Sequence, residues 1–435
     1  MDRISAGRAL TGDSLGYHLI LVLFGVGLPV IISLLEFYGI VTKRPRAIAL
    51  AHTWAKALVI LFIAGAVSGT IVSLQFDLLW PKFMSFIGKT VGLAFALEGT
   101  MFFVEAIFLS VYMLSWKRVK PWIHWLIGLP VALGAIGSAV FITSANAFMN
   151  APAGFKVNSK GQPYDIHITQ EMFTRTMFNE VTHSILAYLL STALVLVAVY
   201  AWLYRKKRHA ADRIWMRKVI VGLLSLALVF AVLLGVTGDM SAQYLEKREP
   251  VKFAAMEGIE KTEKHAPLIL GGIVSGNKIK DAVVIPGLLS FLADNNFYGE
   301  VKGLNITSSQ YRPSLVVHYF FDGMVFADGL LVIVPLLFLL FNKFYRRWAW
   351  NRFSLHILVI CGFLAVIATE FGWLVTELGR QPYIISGVMT VGDALTTSKS
   401  VIQLGFIFPT FFILLLIVTA VTLRKTMSHK EMKQL

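Results

Sequence analysis

The stretch YHLILVLFGVGLPVIISLLEFYGI (17–40) decides the fold class. It runs for 24 residues and is dominated by aliphatic and aromatic side chains. About 20 such residues in an α-helix cross the hydrocarbon core of a bilayer. The stretch has neither the short apolar core nor the small-residue cleavage site of a secretory leader, so it reads as a span. Eight further stretches follow, at 53–75, 91–115, 122–149, 180–203, 215–236, 318–342, 354–376 and 403–423. Pro29, Pro130 and Pro335 fall inside spans, where neighbouring helices can satisfy the freed carbonyls. The expectation is an all-α, polytopic membrane helical bundle with about nine transmembrane helices.

Composition agrees. Of 435 residues, 56% are apolar and only 15% charged, and mean hydropathy is +0.69. A soluble fold of this size needs far more charge to cover its surface. A soluble enzyme, a disordered chain and a collagen-like fibre are excluded. The single cysteine, Cys361, lies in an apolar run. It excludes a disulfide framework, a Cys-based zinc site, an iron–sulfur cluster and a covalent CxxCH haem site.

The net charge of +15 is mostly topological. One set of short connections and the C-terminal tail (43–46, 117–120, 205–218, 343–352 and 424–433) holds 21 Lys and Arg. The opposite short segments hold 9: Arg3, Arg8, Lys82, Lys89, Lys156, Lys160, Arg175, Arg380 and Lys399. The basic-rich side is cytoplasmic by the positive-inside rule, which puts the N-terminus outside and the C-terminus inside. No nucleic-acid partner is expected. Two outer connections are long, 150–179 and 237–317. The chain thus divides into helices 1–6 (1–236), an outer loop between helices 6 and 7 (237–317), and helices 7–9 with a cytoplasmic tail (318–435). A loop of 81 residues is usually functional or disordered. There is no internal repeat and no inverted symmetry of the transporter kind.

Ionisable groups at membrane depth are costly and point to function. The spans carry His18, Glu98, Glu105, Glu180, His183, His318, Asp322, Asp328, Glu370 and Glu377. With alternating span direction, His18, His183 and Met324 fall within roughly 10 Å of the outer ends of their helices. Glu370 lies near the end of a helix running the other way, so all four sit toward the outer face. Glu98 and Glu105, seven apart, share a helix face and begin a polar track inward. Ser138, Thr143 and Asn146 add neutral hydrogen-bonding groups. His and Met are good haem ligands. On residues alone, other readings stand: an interfacial His18, a packing Met324, Glu370 paired with Arg380, or carboxylates lining a transporter cavity.

Local strings carry a resemblance. TELGRQPY (376–383) after ATEFGW (368–373), VKFAAMEGIE (251–260) after GDMSAQ (238–243), ALEGTMFFVEA (96–106) and SANAFMNAP (144–152) occur in order along nearly the whole chain. Together they resemble subunit I of the cytochrome bd-type quinol oxidases, in its short-loop form. The resemblance implies a terminal respiratory oxidase that oxidises quinol (ubiquinol or menaquinol) at the outer face. It would reduce dioxygen to water with protons from the cytoplasm, building proton-motive force without pumping. It implies His183 and Met324 as ligands of a low-spin haem b. His18 and Glu370 would serve two high-spin haems, one b and one d. Glu98, Glu105 and Asn146 would stand by the oxygen-reducing haem and its proton route, and Lys252 and Glu257 at the quinol site. Arg380 and Gln381 belong to the GRQP motif, where Arg380 would compensate haem propionates or a carboxylate. Partners would be a second membrane subunit, a very small third one and lipid, in a bacterial or archaeal plasma membrane. Two positions depart from the family pattern: Tyr383 replaces Trp, and Asp322 stands where some members have Arg. Two other readings make distinct expectations: a haem-b-only, bd-like electron-transfer subunit, and a colourless secondary transporter.

Overall fold

The structure, a computed structural model, describes residues 2–174, 176–206, 210–276, 278–398 and 401–426, with the backbone alone at 210 and 401–406. Six of the charges used for orientation (Arg175, Lys207, Arg208, Lys399, Lys430 and Lys433) lie outside the described residues.

The apolar stretches become long helices. In chain order the helices are α1 (Arg3–Val41), α2 (Pro45–Leu79), α3 (Pro81–Lys89), α4 (Gly92–Ser115) and α5 (Pro121–Asn150). They continue with α6 (Ile168–Met172), α7 (Met177–Lys206), α8 (Ala210–Arg248), α9 (Pro250–Glu257) and α10 (Leu288–Asp294). The last are α11 (Val316–Phe344), α12 (Arg346–Ala349), α13 (Arg352–Arg380), α14 (Val391–Ala394) and α15 (Val401–Thr426). Among the described residues nine helices are long and apolar enough to cross a membrane: α1, α2, α4, α5, α7, α8, α11, α13 and α15.

Several helices outrun their apolar stretches. α1 begins at Arg3, where Asp2 caps it by accepting the Ser5 amide at 2.8 Å. α8 continues past 236 to Arg248. Hydropathy reports the match to the bilayer, whereas a polar segment such as 237–248 can still be helical; Pro250 then starts a new helix.

Adjacent helices form antiparallel pairs, and α7 packs along α8 and α13 while α1 packs along α2, α5, α7 and α15. The main core runs through Leu50, Trp54, Leu194, Tyr204, Leu224 and Leu358. Small residues bring backbones together, as in membrane bundles. A Cβ on Gly134 would lie 2.9 Å from the Glu105 amide, and one on Gly362 would lie 3.0 Å from the Leu194 carbonyl. Large apolar side chains such as Phe103, Leu114, Phe326 and Phe363 stay exposed on the outside of the bundle.

The two ends of the bundle differ. At the end away from the N-terminus, Tyr112 donates to Glu36 at 2.6 Å and His124 Nδ1 lies 2.5 Å from the other Glu36 oxygen, joining α1, α4 and α5. At the N-terminal end lie α3, segment 151–176, and the loop 249–315. Its short strands are β1 (Lys156–Val157) with β2 (Pro163–Tyr164), then β3 (Glu263–Lys264), β4 (Leu268–Leu270), β5 (Ile273–Ser275), β6 (Lys278–Lys280), β7 (Val283–Ile285) and β8 (Glu300–Val301). β4 pairs with β7 and β5 with β6, making one narrow arm, and β3 pairs with β8. A separate core of Phe253, Met256, Leu289, Val301 and Val317 seats this loop on α11.

Candidate functional site

A cavity of about 2110 Å³ opens within the bundle. Pockets for one small molecule are roughly 300–1,000 Å³, so this space suits more than one large group. Every residue expected at a site lines it: His18, Glu98, Glu105, Asn146, His183, Lys252, Glu257, Met324, Glu370, Arg380 and Gln381.

The two histidines are held alike. His18 Nδ1 lies 2.8 Å from the Ser68 hydroxyl, and that hydroxyl donates to the Gly65 carbonyl at 2.8 Å. His183 Nδ1 lies 3.1 Å from the Thr237 hydroxyl, which donates to the Leu234 carbonyl at 3.0 Å. A hydroxyl has one proton, and here it is spent on the carbonyl one turn back. The oxygen must therefore accept from Nδ1–H, which leaves the Nε2 lone pair free. Metal-ligating histidines are oriented in this way, with the other ring nitrogen donating to a fixed acceptor. Met324 sulfur packs where a Cβ on Gly372 would be 3.0 Å away. One Glu370 oxygen is buried without a partner among the described residues. The other lies 3.4 Å from where a Cβ on Gly16 would stand, two residues from His18.

Glu98 accepts from Ser138 at 2.8 Å, joining α4 to α5. Glu105, two turns further along the same face, is buried with one oxygen unpartnered among the described residues. Both carboxylates line the cavity, Glu105 two turns nearer the bundle's far end.

A hydrogen-bonded chain crosses the cavity's rim. Lys252 Nζ donates to Asn150 Oδ1 at 3.2 Å and pairs with Glu249 at 3.2 Å. Asn150 donates to Asn146 Oδ1 at 2.8 Å, and Asn146 donates to Glu377 at 3.0 Å. Arg380 closes the chain with a 2.6 Å bond to the second Glu377 oxygen. Lys252, on α9, is thus wired to the end of α13. The reading of Glu370 as the partner of Arg380 is corrected here: the partner is Glu377, three residues away on the same helix, within reach of one turn. Arg380 Nε and Nη1 are buried and without a hydrogen-bond partner among the described residues, two donors left over beyond the Glu377 ion pair. Glu257 is 4% exposed. Burial, aided by the nearby Asp322 charge, pushes its carboxyl up to about 8.

Three residues of this network, Glu377, Asn150 and Glu249, went unassigned at the sequence level. Glu377 carried a signal, standing three residues before Arg380 inside TELGRQPY. Asn150 stands inside SANAFMNAP, but its pairing with Lys252 depends on α5 meeting α9, and Glu249 carried no signal.

Among the described residues no group of three His, Cys, Asp or Glu side chains could hold a bare metal ion. Donors reach this cavity singly from separate helices. That suits haem, which brings four equatorial nitrogens and asks the protein for one or two axial ligands. The Nε2-free imidazoles, the thioether, the orphaned carboxylate oxygen and the unpaired guanidinium nitrogens fit iron and propionates in turn.

The chain is similar to known proteins along nearly its whole length. The family model described as cytochrome bd terminal oxidase subunit I matches residues 7–431. A Bacillus subtilis protein, provisionally named cytochrome bd menaquinol oxidase subunit I, is 35% identical over 94% of this chain and 93% of its own length. The cytochrome bd ubiquinol oxidase subunit 1 of the same organism is 27% identical over 97% and 92%. The solved bd oxidase from Geobacillus thermodenitrificans superposes with a TM-score of 0.92 at 37% identity, covering 98% of both chains. Nine spans, a cavity lined by singly delivered iron-type donors and these matches lead to one conclusion: the chain belongs to the cytochrome bd terminal oxidase subunit I family.

Proposed function

We propose that this chain is the haem-bearing subunit of a respiratory oxidase that takes electrons from quinol at the bundle's N-terminal, outer end and reduces dioxygen to water. The observation that carries it is the shared cavity in which two histidines are each fixed with Nε2 free. His183 and Met324 hold a low-spin haem b, and His18 and Glu370 hold two high-spin haems, one b and one d. When bound, the haems supply one-electron transfer and an open iron position for oxygen.

The chain's own residues do the rest. Lys252, with its charge shared by Glu249 and Asn150, binds a quinol oxygen as it becomes negative. Glu257 takes a hydroxyl proton, its value near working pH being suited to that exchange. Arg380 offers its two unpaired nitrogens to propionates. Glu105 and Glu98 pass protons toward the oxygen site, with Ser138 holding Glu98 in place. Protons are shed on one side and drawn from the cytoplasm on the other. Each charge that crosses is worth about 2.3 kcal/mol per 100 mV, so no pump is needed. The orientation is supported by the Lys and Arg excess at the far end of the bundle.

A second reading of the carboxylate rests on the rim network. Glu377 stands in TELGRQPY and lines the same cavity, its oxygens held by Asn146 and Arg380, so it is a second carboxylate candidate for iron. Comparing the spectra of Glu370→Gln and Glu377→Gln separates the two, because only the ligand's loss removes a high-spin signal.

The assembly we infer contains a second membrane subunit, a very small third one and lipid against the exposed apolar faces, in a bacterial or archaeal plasma membrane. A reduced-minus-oxidised spectrum of the purified complex tests the reading. A haem d band beside haem b supports it, haem b alone supports an electron-transfer subunit with another acceptor, and a colourless protein sinks both.

A further inference from the structure

His318 is 0% exposed at the start of α11, just behind the cavity wall. Its Nδ1 lies 2.7 Å from the Met256 carbonyl and its Nε2 lies 3.1 Å from the Gly271 carbonyl. Both contacts are to carbonyl oxygens, which only accept, and the Asp322 carboxylate lies 3.3 Å from Nε2. Asp322 in turn accepts the Gly271 amide at 2.5 Å, and the Tyr319 hydroxyl accepts the Val274 amide at 2.6 Å.

The first turns of α11 therefore grip two parts of the loop at once. One is the end of α9, at the residue before Glu257. The other is the β4–β5 turn. That turn can be built only tightly: Gly272 has φ +89, and a Cβ there would meet the Lys280 carbonyl at 2.7 Å. Met324 follows His318 on α11 by six residues, a rise of about 9 Å.

We propose that His318, bridging the Met256 and Gly271 carbonyls beside Asp322, is the positioning residue that seats Glu257 and the 268–285 arm against the helix carrying Met324. It acts through the loop and touches neither quinol nor haem. It rests on the reading that Lys252 and Glu257 hold quinol. Removing the ring breaks both contacts, and the α9 end and the arm lose their common anchor.

The test uses the whole complex with a short-chain ubiquinol, a short-chain menaquinol, and an artificial one-electron donor that bypasses the quinol site. In His318→Ala the KM for quinol should rise by about tenfold, the loss of roughly one buried hydrogen bond. His318→Gln, which keeps one donor, should fall between. Turnover with the bypass donor and the reduced haem spectrum should match the wild type. An unchanged KM would overturn the proposal. So would a fall in bypass turnover together with loss of the low-spin band, since His318 would then be holding the haem. Should His318→Ala fail to assemble, amide exchange over 268–285 in His318→Gln decides: faster exchange supports the clamp, unchanged exchange overturns it. Normal quinol oxidation in Glu257→Gln would instead overturn the underlying placement of quinol, and with it the role given to His318.

Discussion

His183 Nδ1 donates a hydrogen bond to the Thr237 hydroxyl, whose own proton is committed to the Leu234 carbonyl. This pair decides which imidazole nitrogen is available to iron, and it joins α7 to α8 at cavity depth. Thr237→Val keeps the shape and removes the acceptor. Loss of such a partner typically weakens a metal site by about 10–100-fold. The low-spin haem should be retained less tightly during purification, with its band reduced relative to the high-spin signals. Full retention in Thr237→Val would show that the tautomer is fixed some other way.

Glu98 is placed to hand over protons at the cavity edge, held by Ser138. Glu98→Gln should lower oxygen consumption by about 10²–10⁴-fold, the usual worth of a positioned acid or base. The low-spin haem should still reduce with quinol. Normal turnover would remove Glu98 from the proton route.

Met324 is the thioether partner on α11. Met324→Leu preserves volume and removes the sulfur. The low-spin band should be converted or lost, and electron entry from quinol should stop. An identical spectrum would exclude this ligand.

Glu257 gives a pH dependence outside the spans. With its carboxyl raised to about 8, the group is mostly protonated at pH 6 and accepts no proton there. Quinol-limited turnover should rise as pH climbs through about 8, then level off. Glu257→Gln should erase that limb and slow turnover by about 10²–10⁴-fold. The sign for stability is opposite: the unfolded carboxyl ionises near 4.5, so burying Glu257 costs stability as pH rises from there to about 8. A quinol rate independent of pH across this range would set Glu257 aside.

Much of this molecule is legible in its residue order. Apolar stretches of membrane length give the nine spans, because a bilayer admits few other solutions. His18, His183 and Glu370 stand out as candidates because polar groups at depth are rare and need a reason. Helix ends were less legible: α8 continues twelve residues past its apolar stretch, where no hydropathy signal marks the boundary. Pairings were least legible. Nothing in the order of residues says that Lys252 reaches Asn150, or that Asn146 reaches Glu377. Those contacts exist only once α5, α9 and α13 meet.

The most direct test is the reduced-minus-oxidised spectrum of the purified complex beside its His183→Ala counterpart. The account predicts both low-spin and high-spin haem signals in the parent, with the low-spin b band alone missing from the variant. A parent complex without colour, or a variant that keeps the whole low-spin band, would contradict it.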